Sequence, residues 1–156
     1  MSYHEERIDK IARQLQIDEK LIEDSITLAR LMRDRAYVPY SHFPVGAVLA
    51  GDNGQLYGGC NVENSSFGLT NCAERTALFR AVAEGCKSFQ LLVLTTVRKE
   101  AVTPCGACRQ VLTEFAKELP VLYVNDDGER VWMDLTVLFP QAFALLDSNE
   151  KKEKSD

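Results

Sequence analysis

The sequence predicts an α/β fold, a three-layer α/β/α sandwich with a mixed five-stranded sheet. Apolar residues recur at helical spacing in several segments, and continuous apolar runs typical of buried strands lie between those segments. Turn signals separate the two kinds of element. Strands that alternate with helices form one sheet covered on both faces. The chain has 156 residues, the length of a single domain.

The first part of the chain predicts two helices and a β-hairpin. Residues 5–15 carry apolar side chains at helical spacing, and Asp18 is a suitable N-cap for a second amphipathic helix. Two prolines predict a loop at 36–44. The segments 45–51 and 55–60 read as strands, and the turn signal "DNG" joins them into a hairpin.

The rest of the chain alternates between strands and helices. In order, it predicts a polar loop at 61–71, a helix from Cys72 to Gly85, a strand at 89–96, a helix at 106–119, strands at 120–126 and 129–135, and a short helix or turn at 136–146. Both helices in this part begin at a cysteine motif, so we expect both motifs at loop-to-helix junctions.

The domain organisation is predicted to have three parts. Residues 1–17 form a helical N-terminal extension, residues 18–146 form the folded domain, and residues 147–156 form a charged, disordered tail. The tail is expected to be disordered because "DSNEKKEKSD" contains no apolar side chain that could pack on the domain.

Composition excludes several classes of partner. The net charge of -5 disfavours a polymeric nucleic acid, whose binding proteins normally present a basic patch. No apolar run approaches the roughly 20 residues that span a bilayer, so we expect no membrane partner. The N-terminal residues lack a secretory signal, which predicts a cytoplasmic protein. Five cysteines, an odd number, argue against a disulfide framework and favour thiolate chemistry or a metal.

Three of the cysteines form two short motifs. Cys72 is followed two positions later by Glu74, and Cys105 and Cys108 have C-x-x-C spacing after a proline. A helix N-terminus stabilises thiolates, and three protein ligands with one open position are typical of catalytic zinc. Cys60 and Cys86 are expected to be ordinary core cysteines rather than a fourth ligand.

The glutamate helps to distinguish between the possible functions of these thiols. A C-x-x-C segment alone is also compatible with a redox pair, and a glutamate in the first turn of a helix usually only favours the helix dipole. The combination of C-A-E with P-C-G-A-C, however, matches the signature of zinc deaminases, in which the glutamate is not a ligand.

Longer motifs carry a family resemblance. The segments "PYSHFPVGAVL", "GGCNVENSSFGLTNCAER", "TPCGACRQVL" and "LFPQAF" are similar to the small homotetrameric cytidine deaminases with three cysteine zinc ligands. The similarity runs from about residue 28 to 143. It implies the cytidine deaminase-like fold and hydrolytic deamination of cytidine and deoxycytidine to uridine and deoxyuridine plus ammonia, in pyrimidine salvage. The implied partners are a small nucleoside and three further copies of the chain.

The resemblance also implies roles for individual residues. One Zn²⁺ per chain is bound by Cys72, Cys105 and Cys108, and Glu74 is the proton shuttle. The implied substrate contacts are Phe43 against the pyrimidine, Asn61 and Glu63 at the ribose, the Ala73 backbone at the base edge, and Phe143 from a neighbouring subunit. Arg75 compensates the charge of the thiolates. We expect Phe43 and the loop that carries Asn61 to form opposite ends of one pocket.

Three other functions stay open at this point. They are deamination of another small amino-heterocycle, editing of RNA or DNA, and a zinc-stabilised module without activity. The acidic charge disfavours nucleic-acid editing. Glu74 and the missing fourth ligand disfavour a purely structural zinc site.

Overall fold

The computed structural model describes residues 17–145. The predicted helix at 5–15 and the predicted disordered tail therefore lie outside the described residues. Within the described range the helices are α1 (Glu19–Asp34), α2 (Ala73–Ala83), α3 (Gly106–Thr113) and α4 (Leu135–Leu138). The strands are β1 (Val45–Gly51), β2 (Leu56–Cys60), β3 (Phe89–Thr96), β4 (Pro120–Val124) and β5 (Arg130–Asp134).

The five strands form one mixed sheet in the order β2-β1-β3-β4-β5. β1 pairs antiparallel with both β2 and β3, β3 pairs parallel with β4, and β4 pairs antiparallel with β5. β2 and β3 therefore run in the same direction on either side of β1. Their carboxyl ends lie at the same edge of the sheet, and the chain enters α2 and α3 from that edge.

Helices cover both faces of the sheet, which confirms the predicted three layers. On one face, α1 buries Ile22, Ile26 and Ala29 against a cluster that includes Val48 and Val93. On the other face, α2 and α3 share one larger core with the remaining strand residues. Successive side chains of a strand point to opposite faces of the sheet, so they contribute in turn to one core and to the other.

Two glycines let the helices approach the sheet closely. A Cβ atom at Gly46 would lie 2.6 Å from the backbone nitrogen of Arg33 in α1. A Cβ atom at Gly59 would lie 2.6 Å from the carbonyl oxygen of Ala73 in α2. Real Cβ atoms do not come so close to backbone atoms, so a larger side chain at Gly59 would displace the first turn of α2.

Most predicted boundaries are confirmed, but α3 is shorter than predicted. It ends at Thr113 rather than near residue 119. The backbone amides of Phe115 and Ala116 both donate to the carbonyl of Leu112, which turns the chain out of the helix. This turn lets Phe115 pack edge-on against Phe89, with ring centroids 6.4 Å apart, before the chain enters β4.

N-capping at the start of α1 follows the prediction, since the Asp18 carboxylate accepts from the Leu21 amide at 3.3 Å.

All five cysteines lie in the described range and are free thiols. Cys86 is buried as expected, whereas Cys60 is only half-buried and donates its thiol to the carbonyl of Arg35. No helix between residues 17 and 145 has the length and apolar character needed to cross a membrane.

Candidate active site

Two helix N-termini meet at one edge of the sheet. Cys72 is the N-cap residue of α2, and Cys105 is the N-cap residue of α3. They come together because β2 and β3 end at the same edge and both helices pack on the same face of the sheet. The positive ends of both helix dipoles therefore point toward one small region, where negative charge is stabilised.

The three thiols of the two motifs converge there. The Sγ atoms of Cys72, Cys105 and Cys108 all lie within 4.8 Å of one another, with 3.8 Å between Cys72 and Cys105. Within residues 17–145 no other group of three or more His, Cys, Asp or Glu side chains has a geometry suited to a metal. Three soft sulfur donors fit zinc, and three protein ligands leave one position open.

Arg75 lies beside these thiols, as the resemblance implied. Its Nη2 atom donates to the Sγ of Cys72 at 3.3 Å. Hydrogen bonding from Cys108 and from the Arg75 guanidinium lowers the pKa of Cys72 to about 5. The neighbouring Cys72 thiolate and burial raise the pKa of Cys108. The same contact with Cys72 raises the pKa of Arg75, so the guanidinium stays charged.

Glu74 occupies the first turn of α2 and is buried, with only 6% of its surface exposed. A buried carboxyl is expected to have a perturbed pKa because the charged form loses its hydration. Here burial raises the pKa of Glu74 to about 7, and the Cys72 thiolate adds to the effect. Glu74 therefore differs from a solvated helix-dipole glutamate, which was the alternative interpretation of the sequence.

A cavity of about 190 Å³ lies in front of these groups. Six of the predicted site residues contribute to its wall: Phe43, Asn61, Cys72, Ala73, Glu74 and Cys105. The rest of the wall is mainly apolar and includes Val45, Leu94 and Val102. A second hollow of about 200 Å³, which contains Glu63, shares Thr70 with the cavity wall.

Asn61 holds the backbone at Phe43, and both residues line one cavity. The expectation that the Phe43 ring and the loop of Asn61 form opposite ends of this cavity stays a prediction. The side-chain nitrogen of Asn61 donates to the carbonyl of Phe43 at 2.9 Å. Its side-chain oxygen accepts from the amide of Val45 at 2.8 Å. The sequence pattern could not show this contact, because the amide spans two loops that are far apart along the chain.

Glu63 also holds the loop before β1. One of its carboxylate oxygens accepts from the amides of Tyr40 at 2.9 Å and Ser41 at 3.2 Å. The Ser41 hydroxyl and these two amides lower the pKa of Glu63, so the carboxylate is charged. Glu63 stands in the second hollow rather than in the wall of the main cavity.

Phe143 lies away from the cavity of its own chain. Its ring is exposed, with 69% of the residue surface accessible. The backbone of Phe143 is fixed by the side chain of Gln110, which donates to the Phe143 carbonyl at 2.9 Å and accepts from the Phe143 amide at 3.1 Å. Phe139, in contrast, packs partly buried against the larger core.

Sequence reasoning missed two residues near the substrate cavity. The guanidinium of Arg98 lies 5.2 Å from the centroid of the Phe43 ring, in a cation–π contact. Thr96 contributes to the cavity wall from the end of β3. The sequence gives no sign of either role, because Thr96 has the pattern of an ordinary strand residue and Arg98 that of an ordinary charged loop residue.

Zinc deaminases combine a C-x-E or H-x-E segment with a P-C-x-x-C segment, and their glutamate moves protons without binding the metal. The geometry reproduces this combination, because three thiols converge while Glu74 lies buried at the same cavity. Fold and site together define the class as a zinc-dependent deaminase.

The chain belongs to the cytidine and deoxycytidylate deaminase family. The family model for the cytidine and deoxycytidylate deaminase zinc-binding region matches residues 19–123. The chain is 45% identical to a cytidine deaminase of Sporosarcina psychrophila over 87% of this chain and 98% of the relative. It is 40% identical to a probable cytidine deaminase of Dictyostelium discoideum over 90% of this chain and 95% of the relative.

Solved structures agree with these relatives. The crystal structure of cytidine deaminase from Burkholderia pseudomallei matches with a TM-score of 0.74 and 44% identity, over 78% of this chain and 98% of that one. Cytidine deaminase from Mycobacterium tuberculosis matches with a TM-score of 0.68 and 35% identity, over 80% and 98%. The α/β fold and the zinc-binding character are thereby confirmed, with one three-cysteine cluster in the described part of the chain.

Proposed function

We propose that this protein is a cytidine deaminase, which hydrolyses cytidine and 2′-deoxycytidine to uridine and 2′-deoxyuridine with release of ammonia. One observation carries the proposal: the buried carboxyl of Glu74 lines the same cavity as Cys72 and Cys105. The cytidine deaminases to which the chain is similar support this choice of substrate.

Glu74 moves the protons of the reaction. Its carboxylate accepts a proton from the attacking water, whose oxygen forms a bond to C4 of the cytosine ring. Glu74 gives this proton to N3, then takes a second proton from the new C4 hydroxyl and gives it to the departing amino group. The C4–N bond breaks, the C4 carbonyl of uridine forms, and ammonia leaves. A single group can perform these transfers if it lies within hydrogen-bond reach of the water and of the base edge.

Cys72, Cys105 and Cys108 are the proposed zinc ligands. Zinc, when bound, supplies a Lewis acid that makes water nucleophilic near neutral pH. Three thiolates around a divalent cation carry a net negative charge, which weakens that acidity. Arg75 offsets the excess charge through its hydrogen bond to the Cys72 sulfur.

The remaining wall residues hold the nucleoside. The ring of Phe43 stacks against the pyrimidine, and Arg98 on this ring restricts its orientation. The Ala73 backbone meets the base edge at the start of α2. Asn61 and Glu63 bind the ribose, and the hydrogen bonds that both make to the loop before β1 fix their positions. The apolar part of the wall excludes bulk water from the reacting atoms.

The active form is proposed to be a homotetramer in which Phe143 covers the active site of a neighbouring chain. The exposed ring of Phe143 is fixed at its backbone by Gln110 but lies outside the cavity of its own chain. Exposed apolar side chains at Phe67, Leu69 and Phe79 offer further surface for contacts between subunits.

The reaction places the protein in pyrimidine salvage. We propose the cytoplasm as its location, because five free thiols suit a reducing compartment. A free nucleoside rather than a polymeric nucleic acid is the proposed substrate, consistent with the acidic charge of the chain. Residues 18–146 are proposed as the catalytic domain, with 1–17 as an N-terminal extension and 147–156 as a charged tail.

The decisive experiment measures ammonia release from cytidine on a sample whose zinc content is determined in parallel. We expect one zinc per chain and turnover of both cytidine and 2′-deoxycytidine. Cytosine, adenosine and single-stranded DNA serve as control substrates. Zinc-loaded protein without turnover of cytidine would contradict the proposal and favour a structural role for the metal.

A further inference from the structure

Thr96 is a buried polar residue in the wall of the substrate cavity that has no assigned role. It is the last residue of β3, and only 1% of its surface is exposed. Its Oγ1 atom is buried and has no hydrogen-bond partner among residues 17–145. Buried hydroxyls in folded proteins are normally hydrogen-bonded, so an exception requires an explanation.

The strand geometry places the Thr96 side chain on the cavity side of the sheet. Every second residue of β3 lies on the face of the sheet that is covered by α2 and α3. Leu92, Leu94 and Thr96 are on this face, and both Leu94 and Thr96 contribute to the cavity wall. Thr96 lies opposite Val45 of β1. The amide of Val45 is held by Asn61, so Thr96 belongs to the part of the cavity formed by Phe43 and Asn61.

The adjacent Thr95 provides an internal comparison. It is fully buried, and within the described chain its hydroxyl is likewise without a partner. Thr95 lies on the opposite face of the sheet, where it pairs with Gly46 beneath α1, and it does not contribute to the cavity wall. The two threonines thus share residue type, burial and strand, and they differ in the face of the sheet that they occupy, since only Thr96 contributes to the cavity wall.

An unpaired buried hydroxyl is unfavourable for a folded protein. Valine would fill the same volume without burying a polar atom, so threonine is the less stable choice unless a second group completes its hydrogen bond. A polar molecule that enters the cavity can supply that group. The free energy gained from the new hydrogen bond then contributes to the affinity for the ligand.

We propose that the Thr96 hydroxyl forms a hydrogen bond with the bound pyrimidine nucleoside and thereby contributes to substrate recognition. This inference rests on the proposed deaminase function, because it takes the occupant of the cavity to be the nucleoside substrate. Thr96 is a binding residue and takes no part in proton transfer, which is the task of Glu74.

The test replaces the hydroxyl while keeping the shape of the side chain. Thr96→Val removes the hydroxyl, Thr96→Ser retains it, and Thr95→Val is the matched control on the other face of the sheet. For Thr96→Val we expect kcat/KM for cytidine to fall about three- to tenfold, mainly through KM, because one neutral hydrogen bond is lost. The Kd for the product uridine should rise by a similar factor, and Thr96→Ser should restore both values.

Stability separates recognition from a purely structural role. Thr96→Val and Thr95→Val should both leave the denaturation midpoint of ligand-free protein unchanged or raise it, whereas only Thr96→Val should weaken nucleoside binding. A lower midpoint with unchanged binding for Thr96→Val would overturn the proposal, because it would assign the hydroxyl to the fold. If Thr96→Val does not fold, Thr96→Ala removes the same hydroxyl and the same comparison of binding applies.

The same measurements distinguish this inference from the proposed function. Wild-type protein that turns over cytidine while Thr96→Val has unchanged kinetic constants refutes the role of Thr96 alone. Wild-type protein that binds uridine without deaminating cytidine refutes the proposed function alone, and the change in Kd then decides the role of Thr96. Wild-type protein that neither binds nor converts either nucleoside refutes both.

Discussion

Asn61 illustrates how one side chain can hold the fold and also take a proposed part in ligand binding. Its amide joins the Phe43 carbonyl to the Val45 amide, and it therefore sets the position of the ring proposed to stack on the base. The "NVEN" motif suggested only a ribose contact. A loss of this amide should consequently affect base binding as well as sugar binding.

For Asn61→Ala we expect a loss of stability of roughly 1–3 kcal/mol for each backbone group left without its partner. Affinity for both cytidine and the free base cytosine should fall, because Phe43 loses its support. Glu63→Ala should weaken cytidine binding more than cytosine binding. The measurements are thermal denaturation and equilibrium binding, and unchanged cytosine affinity in Asn61→Ala would contradict the supporting role.

Glu74 is the second residue whose substitution gives a sharp result. Glu74→Gln keeps the shape of the side chain but cannot accept and return protons, so kcat should fall by roughly 10²- to 10⁴-fold or more. Zinc content and the denaturation midpoint should stay close to wild type. Glu100→Gln, at an exposed position, is the control for removing a negative charge. Near-normal turnover in zinc-loaded Glu74→Gln would refute the assignment.

The residues that could be predicted from the sequence are those whose type and spacing alone indicate a chemical function. Three cysteines and a glutamate in two short motifs predicted correctly that the thiols cluster and that Glu74 lies at the same cavity. Thr96 and Arg98 could not be predicted, because their significance depends on tertiary neighbours. Thr96 matters through its burial in a cavity wall, and Arg98 through its position over the ring of Phe43.

At the scale of elements, the site depends on where α2 begins. The continuous apolar run of β3 and the hairpin of β1 and β2 predicted the sheet well, since strand periodicity and turn residues are local signals. The end of α3 at Thr113 was missed, and beyond it Phe115 packs against Phe89, a long-range contact that no local signal in the sequence shows. The close approach of α2 to β2 likewise depends on Gly59, a residue that looks unremarkable in the sequence.

Gly59→Ala should therefore disturb the active site from a distance. The added methyl group would meet backbone atoms of Ala73 and Ala77 and push away the turn that carries Cys72 and Glu74. We expect a stability loss of roughly 1–3 kcal/mol, with reduced zinc content and activity. In the control Gly68→Ala the methyl group meets no atom within 4 Å, so stability should hardly change. Wild-type zinc binding in Gly59→Ala would contradict this dependence.

At the scale of the whole molecule, the role proposed for Phe143 would connect activity to assembly. The described chain closes its cavity only partly, and the exposed ring of Phe143 lies elsewhere on the surface. If a neighbour completes the site as proposed, the isolated chain should be inactive and the oligomer active. Subunit contacts would then be part of the catalytic apparatus.

Mixing two inactive variants tests that arrangement. Phe143→Ala should lower activity about ten- to a hundredfold, as expected for loss of a buried aromatic anchor, and removal of residues 139–156 should also weaken the oligomer. If Phe143 acts across subunits, refolding Phe143→Ala together with Glu74→Gln should restore part of the activity, because some mixed sites then contain both side chains. No gain on mixing, or a fully active monomer in sedimentation, would contradict the proposed assembly.

The thiol cluster joins two points of the chain that are 33 residues apart, Cys72 and Cys105. A metal held by both closes a loop that contains α2 and the central strand β3. Such a cross-link restricts the conformations of the unfolded chain. A covalent cross-link that closes a loop of this length would contribute roughly 3–4 kcal/mol to the free energy of unfolding. The metal thus acts as a removable tie, so we expect chelation to lower the unfolding free energy even in Glu74→Gln, which has no activity to lose.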